Sequence, residues 1–147
     1  MTVHLLKLCV GVDNVQELKT WQEERLKRLA RADKTPELCH RTLQTPRRRG
    51  EVLDGGSLYW VIKGFVLVRQ LVLNLRPDRK DDGIACCGIV LDPVLVTTRP
   101  HPRRAFQGWR YLETADAPPD ARGLDGAAEE MPRGMREDLR ELRLIDW

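Results

Sequence analysis

Ser57-Leu-Tyr-Trp-Val-Ile-Lys-Gly-Phe-Val-Leu-Val-Arg-Gln-Leu-Val-Leu-Asn-Leu75 is the stretch on which the fold turns. It holds two runs dense in Val, Leu, Ile, Tyr and Trp, the residue types that suit a pleated, half-buried surface. Gly64 divides them as a turn or bulge. The second run, from Phe65, is apolar on both faces, as a central strand should be. An antiparallel pair at the middle of a sheet is therefore the expected nucleus of the structure.

Working outward, Val3 to Val10 is apolar and ends at Gly11, so it reads as a first strand. Asp13 with Gln16, or Asn14 with Glu17, then offers a capping box for a helix running to about Ala32. Val15, Leu18, Trp21, Leu26 and Leu29 form its apolar stripe, and charged residues occupy most of the rest. Leu38 to Thr45 reads as a short strand. Thr45-Pro46 opens an expected two-turn helix closed by Gly55-Gly56. Beyond the central pair, Arg76 to Gly83 is expected as a charged turn, and Ile84 to Leu91 and Val94 to Thr98 as two further strands. A surface excursion over 113–130, rich in Ala, Pro, Asp and Gly, leads to a final amphipathic helix from about Pro132.

These elements predict one α+β domain over 1–147, built on a small, mainly antiparallel sheet that curls or closes into a PUA-like barrel with flanking helices. The 147 residues, 41% hydrophobic and 32% charged, are enough for a real core and too apolar for disorder. No apolar run reaches the roughly 18 residues a membrane span needs, and no secretory leader is evident. A cytoplasmic protein without a membrane partner is expected. Cys9, Cys39, Cys86 and Cys87 lack zinc-site spacing and the density of a disulfide scaffold, so no metal and no cofactor is expected.

Charge is distributed unevenly. His40 to Arg104 carries twelve Lys/Arg against six acids, while the chain from Ala105 onward carries six against ten. The middle is thus the side for an anion. Three groupings there could carry function. Arg47, Arg48 and Arg49 crowd the start of the predicted short helix, where the macrodipole opposes them and a phosphate would be welcome; otherwise they form a solvated turn with Arg47 paired to Glu51. Arg69 lies on an apolar strand face with Phe65, Leu67, Leu71 and Leu73. It either meets an acid such as Asp92 or Glu51 or lines a cavity for an anionic ligand, with Lys63 near the same cleft. Arg99-Pro-His-Pro-Arg103-Arg104-Ala-Phe106-Gln-Gly-Trp109-Arg110-Tyr111 interleaves guanidinium groups with rings, as a segment that holds phosphates and stacks bases would. The other reading is a proline-stiffened strap plugging the core.

Leu53-Asp-Gly-Gly-Ser-Leu-Tyr-Trp-Val-Ile-Lys-Gly64, Arg69-Gln70, Phe106-Gln-Gly-Trp-Arg-Tyr-Leu112 and the opening His4-Leu-Leu-Lys-Leu-Cys-Val-Gly11 resemble an uncharacterised bacterial family of unknown function, from Val3 to Leu112 and on into the last helix. That resemblance implies no activity. By element order the chain also resembles PUA-like barrels, including the ASCH group, which implies binding of RNA or modified nucleosides. The K-x-x-T motif of the ASCH hydrolases is missing. The leading expectation is therefore a binding module for RNA, a nucleotide or another phosphate-bearing ligand, using Arg47, Arg48, Lys63, Arg69, Arg103, Arg104, Trp109 and Arg110. The rivals are a small hydrolase or transferase for a nucleoside-like substrate, with Lys63 or a cysteine as base or nucleophile, and a protein-interaction module presenting Trp109 and Tyr111.

Overall fold

The computed structural model describes residues 1–121. Its strands are β1 (Val3–Leu8), β2 (Leu38–Thr42), β3 (Ser57–Ile62), β4 (Phe65–Arg79), β5 (Ala85–Leu91), β6 (Val96–Pro102) and β7 (Trp109–Glu113), with helices α1 (Val15–Arg31) and α2 (Arg49–Val52). All seven strands form one mixed sheet in the order β2-β5-β4-β3-β1-β7, and β6 pairs with β4. Only β1 and β3 run parallel, joined by the crossover that contains α1. The architecture is α+β, and the sheet is open rather than closed into a barrel.

The central hairpin forms where the sequence places it. Lys63 and Gly64 both have positive φ, 50° and 87°, as the two centre residues of a type I′ turn must. β4 runs further than expected: Arg76 to Arg79, read as a turn, continue the strand opposite β5. Arg76 pairs with Glu37, just before β2, and Asp78 with Arg41 on β2, both reaching past β5. Pro77 is tolerated because β3 flanks β4 only as far as Leu71, which leaves one edge free of a partner needing its N–H. Past Val96 the Arg-Pro-His-Pro segment is itself strand, and Trp109–Glu113, expected as a strap, is a seventh strand against β1.

α1 begins at Asn14, whose side-chain oxygen accepts from the Glu17 amide at 2.8 Å, and the Glu17 carboxylate reaches back to the Asp13 amide. Asn14 with Glu17 is thus the pair that caps the helix. Val15, Leu18 and Gln22 are its buried residues, with Leu26 packed against the same cluster. Trp21, assigned to the stripe from its spacing, is 51% exposed at the edge of that face. The expected two-turn helix after Pro46 shrinks to the single turn of α2, since Arg48, with φ −87° and ψ 46°, is outside the helical region, and its amide donates to the Tyr111 hydroxyl at 3.0 Å.

Val3, Leu5, Leu58, Trp60, Ile62, Val68, Val72 and Ile89 pack under α1, and a smaller cluster of Leu6, Tyr59, Val61, Val66 and Leu112 occupies the opposite face. The start of the predicted excursion is ordered: Thr114–Asp116 makes a 3-10 turn and Asp120 bridges to Thr98 on β6. The rest of that excursion and the expected last helix lie outside the described residues.

Candidate functional site

A cleft of about 320 Å³ opens between α1 and the C-terminal end of β1. Its walls come from residues far apart in the chain: Lys7 to Val12 at the end of β1, Leu18, Trp21, Gln22 and Arg25 on α1, Leu38 to His40 on β2, Trp60 on β3 and Leu91 on β5. A largely apolar hollow of this size with a few polar groups converging on it has the ordinary form of a small-ligand site. A buried hydrogen-bond network holds its floor. Gln22 and Gln70 exchange two bonds of 2.8 and 2.9 Å, and Trp60 Nε1 donates to the same Gln70 oxygen at 2.8 Å. Gln70 also donates to the Asp92 carbonyl, so one glutamine ties α1, β3 and β4 together and fixes the plane of the Trp60 indole.

The polar groups of the cleft are cationic or neutral. Lys7 sits directly opposite Trp60 on β3 and Trp109 on β7, so its stem lies on the helix-side face between two indoles. Burial pushes its ammonium below the ordinary lysine range. The Arg25 guanidinium lies 5.6 Å from the centre of the Trp21 ring. Neither cation has a carboxylate partner among the described residues. His40 packs edge-on to Trp60 at 5.3 Å, and its Nε2 is buried without a hydrogen-bond partner. Burial, then the charges of Lys7 and Arg25, lower its pKa to about 4, so it is neutral at physiological pH. The same burial raises the Cys9 thiol to about 12, and Cys39 is also pushed up. Cys9 and His40 do share a cleft, but the thiol is not the thiolate a nucleophile requires.

The residues singled out from sequence are dispersed. Arg48 is clamped by Glu51 at 2.5 Å and Glu113 at 2.6 Å and lies over the Tyr111 ring; Glu51 thus pairs with Arg48 and not with Arg47. Arg47 is exposed, as is Arg104. Lys63 pairs with Asp13 at 3.0 Å across the hairpin tip. Arg69 forms the structural ion pair that its position demands, but with Asp120, through two bonds of 2.7 Å, and it also donates to Ser57 Oγ. Trp109 donates to the Gln44 carbonyl and packs edge-on to Tyr111, on the α1 side of the sheet. Arg110, the next residue, lies over Phe106, which packs against the opposite cluster. Strand alternation thus splits the ring-and-guanidinium segment between two faces.

Nor do the two arginine groups meet. Arg48 is held at the Val3–Glu113 end of the sheet, while the Arg103 amide is bonded to the Gly64 carbonyl at the other end. At about 3.3 Å per residue the span between them is about 20 Å. Lys7 and Arg25 were not legible as site residues, and His40 was legible only as a conceivable base beside a cysteine. A single lysine in an apolar strand reads as a solvated position, and nothing in the spacing of residues 7, 25 and 40 brings them together.

Among the described residues no group of three or more His, Cys, Asp or Glu is placed to hold a metal ion, and no helix is long and apolar enough to cross a membrane. A family model described as Protein of unknown function (DUF1489) matches residues 5–145. No curated protein and no solved structure matches the chain.

Proposed function

The chain belongs to the DUF1489 family, and we propose that it is a binding protein for a small phosphate-bearing ligand with a planar ring, of the nucleoside monophosphate type, held in the cleft beneath α1. The observation that carries this reading is the pairing of two cations, Lys7 and Arg25, with the indoles of Trp21 and Trp60 in one hollow that supplies no carboxylate among its lining residues. A cation in a partly dry site without a counter-ion favours an anionic guest. The aromatic walls favour a flat one. A neutral His40 adds a ring nitrogen for hydrogen bonding without adding charge. The four cysteines are free thiols, which supports a reducing, cytoplasmic setting.

RNA is the second reading. It is favoured by the exposed Arg47 and Arg104 and by the Arg103 Nε, which is buried without a partner.

The test is a titration of the full chain with adenosine monophosphate, adenosine and inorganic phosphate, followed by tryptophan fluorescence. The monophosphate should bind at least about tenfold more tightly than either half, and Arg25→Ala should weaken it by about tenfold, or 1.4 kcal/mol. Binding unchanged in Arg25→Ala would remove the cleft reading. A salt-sensitive affinity for RNA that Arg103→Ala/Arg104→Ala abolishes and Arg25→Ala leaves alone would establish the second reading in its place.

A further inference from the structure

We propose that Lys7 is a carbonyl-reactive amine, and that the cleft takes small anionic aldehydes or ketones which Lys7 captures as an imine. The ligand class rests on the anion-site reading above; the reactivity of the amine rests on the surroundings of Lys7 alone. Its position on β1 is fixed from both sides by the pairings to Trp60 and Trp109, so the amine is carried on a rigid strand into a cavity rather than on a mobile loop. No acid among the described residues pairs with it. Arg25 and His40 line the same hollow, the first a fixed cation and the second a neutral ring, so nothing there stabilises a second positive charge.

Lysines become nucleophiles in such surroundings, where an apolar wall disfavours the ammonium and exposes the lone pair of the neutral amine. The depressed lysine pKa produced by burial acts in the same direction. The remaining lysines provide a contrast within the molecule. Lys19, Lys27, Lys34 and Lys63 are exposed, Lys63 is paired with Asp13, and Lys80, half-buried after β4, is not among the residues that line the cleft.

The step balances without an oxidant or reductant. The Lys7 nitrogen lone pair attacks the carbonyl carbon and forms the C–N bond. The carbonyl oxygen then leaves as water, taking both amine hydrogens, and the C=N bond of the imine remains. Arg25 would hold the anionic group of the guest, and the Trp60 indole would lie beside its plane.

Pyridoxal 5′-phosphate, an anionic aromatic aldehyde, is a suitable probe. The full chain is incubated with a limiting amount at neutral pH, treated with borohydride to fix any imine as a secondary amine, and mapped by peptide fragmentation so that each lysine and the Met1 amine is scored apart. Lys7 should carry at least about ten times the label of Lys19 or Lys63, and Arg25→Ala should reduce that excess. Labelling of Lys7 no greater than that of the exposed lysines would overturn the proposal. Even labelling with intact binding of adenosine monophosphate sinks the imine and spares the anion site. Even labelling together with lost monophosphate binding sinks both.

Discussion

At the scale of single residues, His40 shows how a side chain that looks ordinary in sequence acquires its character from the fold. On β2 it is enclosed by Trp60 and overlooked by Lys7 and Arg25, and its pKa falls from 6.5 to about 4. The unfolded chain therefore takes up the proton first. The stability contributed by the neutral ring is complete above about pH 6.5 and is lost as pH falls through 4. A shift of that size corresponds to at most about 3 kcal/mol, and less where water reaches the ring. In a proton NMR titration His40 should report near pH 4. His40→Phe should remove most of the slope in stability between about pH 6.5 and 5, leaving there the smaller contribution of His4, whose pKa is lowered by burial and by Arg69. Glu51, Asp78 and Asp120, whose carboxyls are also held low, set the slope at lower pH. A His40 resonance moving near 6.5 would show that the ring is not enclosed. Gly56 makes a related point: a Cβ there would overlap the carbonyl oxygens of Val3 and Val52, so the glycine allows the close approach of α2 to β1.

At the scale of elements, the β3–β4 hairpin was legible because composition, alternation and the glycine agree. The Asn14–Glu17 cap was legible as one of two candidates for the same reason. β7 was not. Its five residues follow a proline- and arginine-rich stretch, and their strand character comes from pairing with β1 at Val3 to Lys7, a partner more than a hundred residues away. The hairpin retains a measurable inconsistency. Lys63 adopts φ 50°, a conformation costly for a lysine and easy for asparagine. Its surface ion pair with Asp13 offsets only a few tenths of a kcal/mol. Lys63→Asn should therefore raise stability by about 0.5 kcal/mol in a denaturant melt. A loss instead would mean that the Asp13 pair outweighs the turn strain.

At the scale of the whole molecule, the chain after β7 returns across the sheet and is fastened by Asp120, which bridges to Thr98 and grips Arg69. The Arg69 side chain is only 24% exposed, so removing its partner strands a partly desolvated guanidinium. Asp120→Ala should cost about 1–3 kcal/mol, between the values for exposed and buried pairs, and show as a lower denaturant midpoint. Arg69→Met/Asp120→Ala should recover part of it, since no orphaned charge remains. An unchanged midpoint in Asp120→Ala would show that the pair is solvated in effect.

The sequence by itself determined that the chain builds an α+β domain on a central hairpin, that α1 packs by one face, and that Arg69 must have a partner. Each of these is a local demand, set by periodicity, capping chemistry or the cost of an unpaired charge. Which acid meets Arg69, that Trp109 and Arg110 face opposite sides, and that the two arginine groups lie at opposite ends of the sheet were decided only by the tertiary structure. The same holds for the cleft, whose Lys7, Arg25, His40 and Trp60 come from four different elements. Strand pairing and register bring such residues together. They are set by long-range packing, which no window of neighbouring residues contains.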